Sequence, residues 1–178
     1  MLQLLSGVLK PTSGEVRLGD FVVSKASDED CRDFRIRMIG MVFQEFELIE
    51  ALTVQENILL PFLVEPKIGD AEDFMAELLR LTEGAGISQY LGRKPRRLSQ
   101  GERQRVAICR ALLPNPSIIL ADEPTGNLDP QTRESVLDLI DSEVEHNQAT
   151  LIAVTHDHGI LDRFDRVVDF AEFLENSK

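Results

Sequence analysis

The chain has 178 residues, enough for one domain with one sizeable core. Hydrophobic residues make up 43% and charged residues 28%, and the formal net charge is −12; this fits an ordinary globular protein and speaks against a nucleic-acid surface. No apolar run approaches the ~18–20 residues that span a bilayer, no signal peptide is expected, and Cys31 and Cys109 make neither a metal nor a redox spacing, so they read as reduced thiols of a cytosolic protein.

Met1–Leu9 reads as the end of a helix, with Leu2, Leu4, Leu5 and Val8 apolar, and Pro11 and Gly14 punctuate a turn. Glu15–Ser24 alternates like a strand pair about Gly19-Asp20. Asp28–Arg37 is a charged helical link. Met38–Phe43 is a compact apolar run of the kind that makes a buried parallel strand, and it ends on Gln44. Leu52–Leu63 follows, with Thr53 and Glu56 spaced as a capping box. Asp70–Leu81 is amphipathic, with Phe74, Leu78, Leu79 and Leu81 predicted inward, and Gly84-Ala85-Gly86 ends it. Ile87–Arg97 carries a basic cluster, Arg93, Lys94, Arg96 and Arg97, which by itself reads as a solvated face.

The stretch from Leu98 to Asp129 organises the rest. Leu98-Ser99-Gln100-Gly101-Glu102-Arg103-Gln104-Arg105 opens a helix predicted over Glu102–Leu113, stopped by Pro114 and Pro116. A Ser and a Gly just ahead of a helix start leave N–H groups beside the positive end of its dipole, which suits a phosphate. Ser117–Ala121 is a short apolar strand that ends on two carboxylates, Asp122 and Glu123, a pair suited to a magnesium ion and an attacking water. Asp129 and Pro130 start a helix running to about Glu145, with Val136, Leu137, Leu139 and Ile140 on its apolar side. Thr150–Val154 is predicted as another buried strand, followed by Thr155-His156-Asp157. Ile160–Phe164 reads as a turn or short helix, Arg166–Phe170 as a final strand and Glu172–Lys178 as a loose acidic tail. Three strands thus end on polar residues, Gln44, Asp122-Glu123 and His156. In an open parallel α/β sheet, ligands bind beyond such strand ends.

These motifs carry a resemblance. Leu98–Arg105 looks like the signature motif of the ATP-binding-cassette (ABC) ATPases, Ile118–Glu123 like their Walker B strand with its following glutamate, and Gly126–Asp129 like their D-loop; the family usually has a second Gly at the place of Gln100. The resemblance implies an α/β, P-loop-NTPase-like cassette spanning 1–178, with a mostly parallel central sheet, an antiparallel β piece and a helical subdomain over about 45–105. It implies ATP and Mg2+ as ligands. Asp122 and Gln44 would hold the metal, Glu123 would orient or deprotonate the attacking water with help from Gln44, and His156 would touch the γ-phosphate. Ser99, Gln100, Gly101 and Glu102 would face nucleotide across an interface with a second cassette, and Asp129 would link the two sites. The implied partners are that second copy and a transmembrane permease subunit, with no nucleic acid, and the implied location is the cytoplasmic face of the inner or plasma membrane. Ala121–Asp129 and Leu52–Ile58 look like the lipoprotein-release, macrolide-export and cell-division cassettes.

One family element is missing from these residues. No Gly-x-x-x-x-Gly-Lys-Ser/Thr pattern occurs. Met1–Leu5 through Pro11-Thr12-Ser13-Gly14 resembles the family's helix just after that loop, so the expectation is a cassette lacking its first strand and phosphate-binding loop. Much of the grip on phosphate resides there, and a poor ATPase is expected. Two further readings stand beside the transporter subunit: a degenerate cassette that lends only its signature to a partner, and the head fragment of a DNA-repair or chromosome ATPase. The second of these would carry a coiled coil, and no heptad run is present.

Overall fold

The computed structural model describes residues 1–65, 68–69, 71–126 and 128–175. Asn127 of the D-loop stretch, Pro66, the expected helix start at Asp70 and the tail 176–178 lie outside the described residues. Three strands form one parallel sheet in sequence order: β1 (Ile39–Val42), β2 (Ile118–Asp122) and β3 (Thr150–Val154). Val42 pairs with Ala121 and Asp122 with Val154. The strands therefore end almost level, which sets Gln44, Glu123 and Thr155 along one rim.

The helices are α1 (Leu2–Leu5), α2 (Asp28–Met38), α3 (Val54–Ile58), α4 (Leu60–Val64), α5 (Met75–Gly84), α6 (Gln100–Leu112), α7 (Pro130–Asn147) and α8 (Ala171–Glu175). Side chains alternate across the sheet with period two. Val42, Ile119 and Ala121 join α3, α5, α6 and α7 in the main core, while Ile39 and Leu120 turn the other way onto Leu2. Gly40 lies where α6 crosses β1; a Cβ there would collide with the Ala111 carbonyl, so this close approach requires glycine. Cys109 on α6 is fully buried, and burial pushes its thiol up to about 12. Cys31 is buried as well, and neither forms a disulfide.

Capping explains where the helices begin. Ser27 with Asp30, Thr53 with Glu56 and Ser99 with Glu102 each form a reciprocal capping box, and the Asp129 carboxylate accepts from the Thr132 N–H at 3.1 Å. The signature box starts α6 at Gln100, two residues earlier than predicted. The predicted Leu52–Leu63 segment divides at Leu59, ahead of Pro61, into α3 and α4.

Several expectations need correction. The antiparallel piece shrinks to one bridge, Leu18 with Phe21; farther out only the Ser24 N–H reaches the Val16 carbonyl, while the Val16 N–H donates to the Ser24 hydroxyl instead of to a main-chain carbonyl. Leu79 faces outward and is 48% exposed; one residue beyond Leu78, it falls off the α5 stripe that buries Leu78 and Leu81. β3 is half-buried rather than buried, being an edge strand with α7 over one face and little over the other. Arg166–Phe170 forms no strand. Its Asp169 carboxylate accepts from the Ala171 N–H and turns the chain into α8, which takes up part of the expected loose tail.

Candidate active site at the strand ends

At the end of β2 the two adjacent carboxylates separate. Asp122 still belongs to the strand and is exposed; among the described residues its carboxylate enters no hydrogen bond or ion pair. Glu123 takes a left-handed backbone (φ 45°), a conformation that costs a non-glycine residue on the order of 1 kcal/mol. Its backbone N–H donates to the Val154 carbonyl and its carbonyl accepts from the Gly126 N–H, closing a tight turn. The side chain, 15% exposed, swings over the end of β3. There Oε2 accepts from the Thr155 hydroxyl at 3.1 Å, and Oε1 accepts from the His156 backbone N–H at 2.9 Å and lies 2.7 Å from His156 Nδ1. With Nδ1 protonated the ring donates to the carboxylate, leaving Nε2 outward on a side chain that is 82% exposed.

The loop after His156 is braced in turn. The Asp157 N–H donates to Thr155 Oγ1, the Asp157 carboxylate accepts from the Gly159 N–H, and Arg133 of α7 pairs with it at 2.9 Å. At the end of β1, Gln44 is exposed, and its Nε2 lies 3.6 Å from where a Cβ on Gly126 would stand. Gln44, Asp122, Glu123 and His156 are thus gathered on one rim.

The signature residues lie at the other end of the loop that leaves β2. Gly101 is buried in the first turn of α6, against the first turn of α7; a Cβ there would collide with Thr132 Cγ2. Asp129 caps that same turn of α7, and its hydrogen bonds from Thr132 hold its carboxyl below the usual range. Ser99 and Glu102 occupy one another: the Ser99 N–H and hydroxyl both donate to Glu102 Oε2, and Ser99 Oγ accepts from the Glu102 N–H. Two of the N–H groups expected to await a phosphate are therefore engaged, which leaves those of Gln100 and Gly101.

Sequence reading missed the residues that hold these loops. Buried Gln104 donates from Nε2 to the Pro124 carbonyl at 2.6 Å, and its Oε1 is buried with no partner among the described residues. Buried Asn57 donates to the carbonyls of Ile49 and Thr53 and accepts from the Ile49 N–H, closing the turn before α3. Arg110 reaches the loop that follows Gln44. The available signal was polarity inside a buried pattern: Gln104 and Arg110 sit among Val106, Ala107, Ile108, Cys109 and Ala111, all buried on α6.

A parallel sheet with its polar rim at the strand ends, crossed on one face by a capped helix, is the α/β architecture of P-loop-NTPase-like cassettes. Residues 1–126 match the family model of the ABC transporters. The chain is 43% identical over 170 residues to an uncharacterized ABC transporter ATP-binding protein of Mycobacterium tuberculosis, covering 95% of this chain and 67% of that one. It is 40% identical over 169 residues to the lipoprotein-releasing system ATP-binding protein LolD of Legionella pneumophila, covering 94% and 73% respectively. Among solved structures, the dimeric ABC transporter cassette MJ0796 superposes with a TM-score of 0.80 at 37% identity, over 90% of this chain and 70% of that one. The chain belongs to the ABC transporter family, as an ATP-binding cassette. Among its described residues no helix is long and apolar enough to cross a membrane.

Proposed function

We propose that this cassette binds ATP between two copies of itself, hydrolyses it, and drives a membrane-embedded partner from the cytoplasmic face of the membrane. The observation that carries the reading is Glu123, a carboxylate at the end of the central strand held by Thr155 and His156 from the neighbouring strand end. MJ0796 supports the assembly, being dimeric and captured in a post-hydrolysis state with ADP and Pi. Within the helical segment of about 45–105, the stretch 45–66 that follows Gln44 is the part that meets the membrane partner.

The residues suit Mg2+. Magnesium accepts one carboxylate plus an amide oxygen and keeps several waters, and Asp122 is an exposed, unengaged carboxylate on the same rim as the Gln44 amide. Asp122 and Gln44 would hold the ion, which when bound offsets charge on the β- and γ-phosphates. Glu123 keeps acceptor capacity on Oε2 beyond its bond from Thr155, enough to orient an in-line water and take its proton. His156 orients Glu123 through Nδ1 and turns Nε2 toward the γ-phosphate. The N–H groups of Gln100 and Gly101 at the start of α6, with Ser99 once released from Glu102, face the nucleotide held by the second copy. Asp129, at the start of α7, stands where the two copies meet.

The test compares Glu123→Gln with Asp122→Asn, in the 178-residue chain and in the same chain preceded by a strand and a Gly-x-x-x-x-Gly-Lys-Ser segment. In the extended form Glu123→Gln retains ATP binding, loses turnover by about 100-fold or more and traps a dimer in gel filtration with ATP; each factor of ten corresponds to about 1.4 kcal/mol. Asp122→Asn also weakens the magnesium-dependent part of binding. Undiminished turnover in Glu123→Gln, or a strictly monomeric protein under trapping conditions, would overturn the reading.

A further inference from the structure

Arg110 stands near the C-terminal end of α6 and is 9% exposed. Among the described residues its guanidinium is bonded to no carboxylate. Instead Nη1 donates to the Glu47 carbonyl at 2.5 Å and Nη2 to the Phe46 carbonyl at 2.6 Å. Those carbonyls belong to two consecutive left-handed residues, Phe46 (φ 59°) and Glu47 (φ 48°), neither of them glycine. The pair begins two residues after Gln44. Burial lowers the Arg110 pKa, with the Glu47 charge opposing that shift. A buried cation spent on main-chain carbonyls is a poor packing choice, since an aliphatic side chain would fill the volume without the cost of desolvation. A guanidinium fork does what no aliphatic can: it bridges two adjacent carbonyls and fixes their directions.

The rest of α6 gives the grip a purpose. The helix carries Ser99 and Gly101 at its start, and Gln104 binds the Pro124 carbonyl in the turn that follows Glu123. Its 13 residues span about 20 Å, so one rigid rod holds the signature, the turn after β2 and the loop after β1. We infer that Arg110 is a positioning residue: its two hydrogen bonds lock the Gln44 loop to the signature helix, so that the loop and the helix start keep one geometry. The functional weight of this lock rests on the reading of Gln44 given above; the lock itself does not.

Hydrogen–deuterium exchange on the nucleotide-free 178-residue chain separates the two. Peptides covering 43–50, 98–105 and 118–122 are followed in the unsubstituted chain, in Arg110→Met and in Arg110→Lys. Arg110→Met raises exchange at 43–50 by about tenfold or more relative to the other two peptides, because the loop opens locally while the core stays closed. Arg110→Lys, which keeps a charge but loses the planar fork, gives a rise of about threefold. Equal change in all three peptides, or none at 43–50, would overturn the inference and leave Arg110 an ordinary core residue. If Arg110→Met does not fold, Arg110→Lys supplies the same comparison with the same two outcomes. In the ATP-hydrolysing form, the lock predicts a kcat about tenfold lower in Arg110→Lys with KM for ATP within about twofold, since a misaimed Gln44 acts on the transition state rather than on ground-state binding. A KM change with kcat intact would overturn the lock's catalytic role. Absence of hydrolysis in the unsubstituted extended form, which carries the added strand and Gly-x-x-x-x-Gly-Lys-Ser segment, would instead count against the functional reading, with the exchange result still deciding on Arg110.

Discussion

The two faces of the sheet are built unequally. On one, α3, α5, α6 and α7 bury Val42, Ile119 and Ala121 in a continuous core that includes Ile58, Leu78, Leu81, Ile108, Leu112, Val136 and Ile140. On the other, the buried cluster consists of Leu2, Ile39 and Leu120, with Leu5, Phe34, Met41, Ile152 and Val154 partly covered around them. The thick face belongs to the helix that carries the signature and braces the loops after β1 and β2. The lesson is that fold stability and site geometry share one face, so changes there cannot be read as purely structural or purely functional without a second measurement.

Adjacent residues of β2 sharpen that comparison. Ile119 and Leu120 are equally buried, at 1% and 0% exposure, but point to opposite faces. Ile119→Ala should cost about 4 kcal/mol and Leu120→Ala nearer ~2 kcal/mol, because partly covered neighbours can close over the second gap while the packed helices cannot close over the first. Urea unfolding of both variants decides it, and equal losses would mean the thin face is as rigid as the thick one.

A smaller effect tests how α5 is fastened to α7. Glu143 is a buried carboxylate held by Arg80 through two hydrogen bonds, at 2.9 and 2.6 Å. Arg80→Ala leaves that charge without its partner and should cost about 3 kcal/mol, the low end for a broken buried pair because Arg80 is itself part-exposed. Loss of less than ~1 kcal/mol in thermal or urea unfolding would show that water reaches Glu143 readily.

The smallest effect is a pH dependence at the outer edge of the same pair. The Arg80 hydrogen bond holds the Glu77 carboxyl below its ordinary 4.5. A carboxylate with a depressed folded-state pKa stabilises the fold above its unfolded value and loses that contribution as pH falls through the folded value. Stability should therefore slip below about pH 4.5 by an amount that Glu77→Gln reduces, and added salt should shrink the difference because the pair is largely solvated. A Glu77→Gln melting curve with the same acid slope as the parent would remove the assignment.

Much of this arrangement could be read from residue order alone, for identifiable reasons. Compact apolar runs that end on polar residues placed all three strands, and the same strand-end polarity placed Gln44, Asp122, Glu123 and His156 on one rim. Local rules also found the Thr53 and Asp129 caps. What escaped depended on long-range geometry. The left-handed turn at Glu123 that sends its side chain to β3, the two carbonyls under Arg110 and the contact between Gly101 and Thr132 each join segments far apart in sequence. The Glu15–Ser24 hairpin fell short locally, where the Val16 N–H donates to the Ser24 hydroxyl instead of to a main-chain carbonyl.

The buried thiol on the signature helix has a practical consequence. Cys109 is fully covered, and its high pKa leaves very little thiolate at neutral pH, so thiol reagents can reach it only when α6 leaves the sheet. Cys31 is also covered but belongs to the peripheral helix α2, where its thiol donates to the Val23 carbonyl. Alkylation followed by mass spectrometry should therefore give two separate rates, a faster one for peripheral fraying at Cys31 and a slower one for global opening at Cys109. The chain carries its own pair of labels for distinguishing partial from complete unfolding, with no probe added and no residue changed.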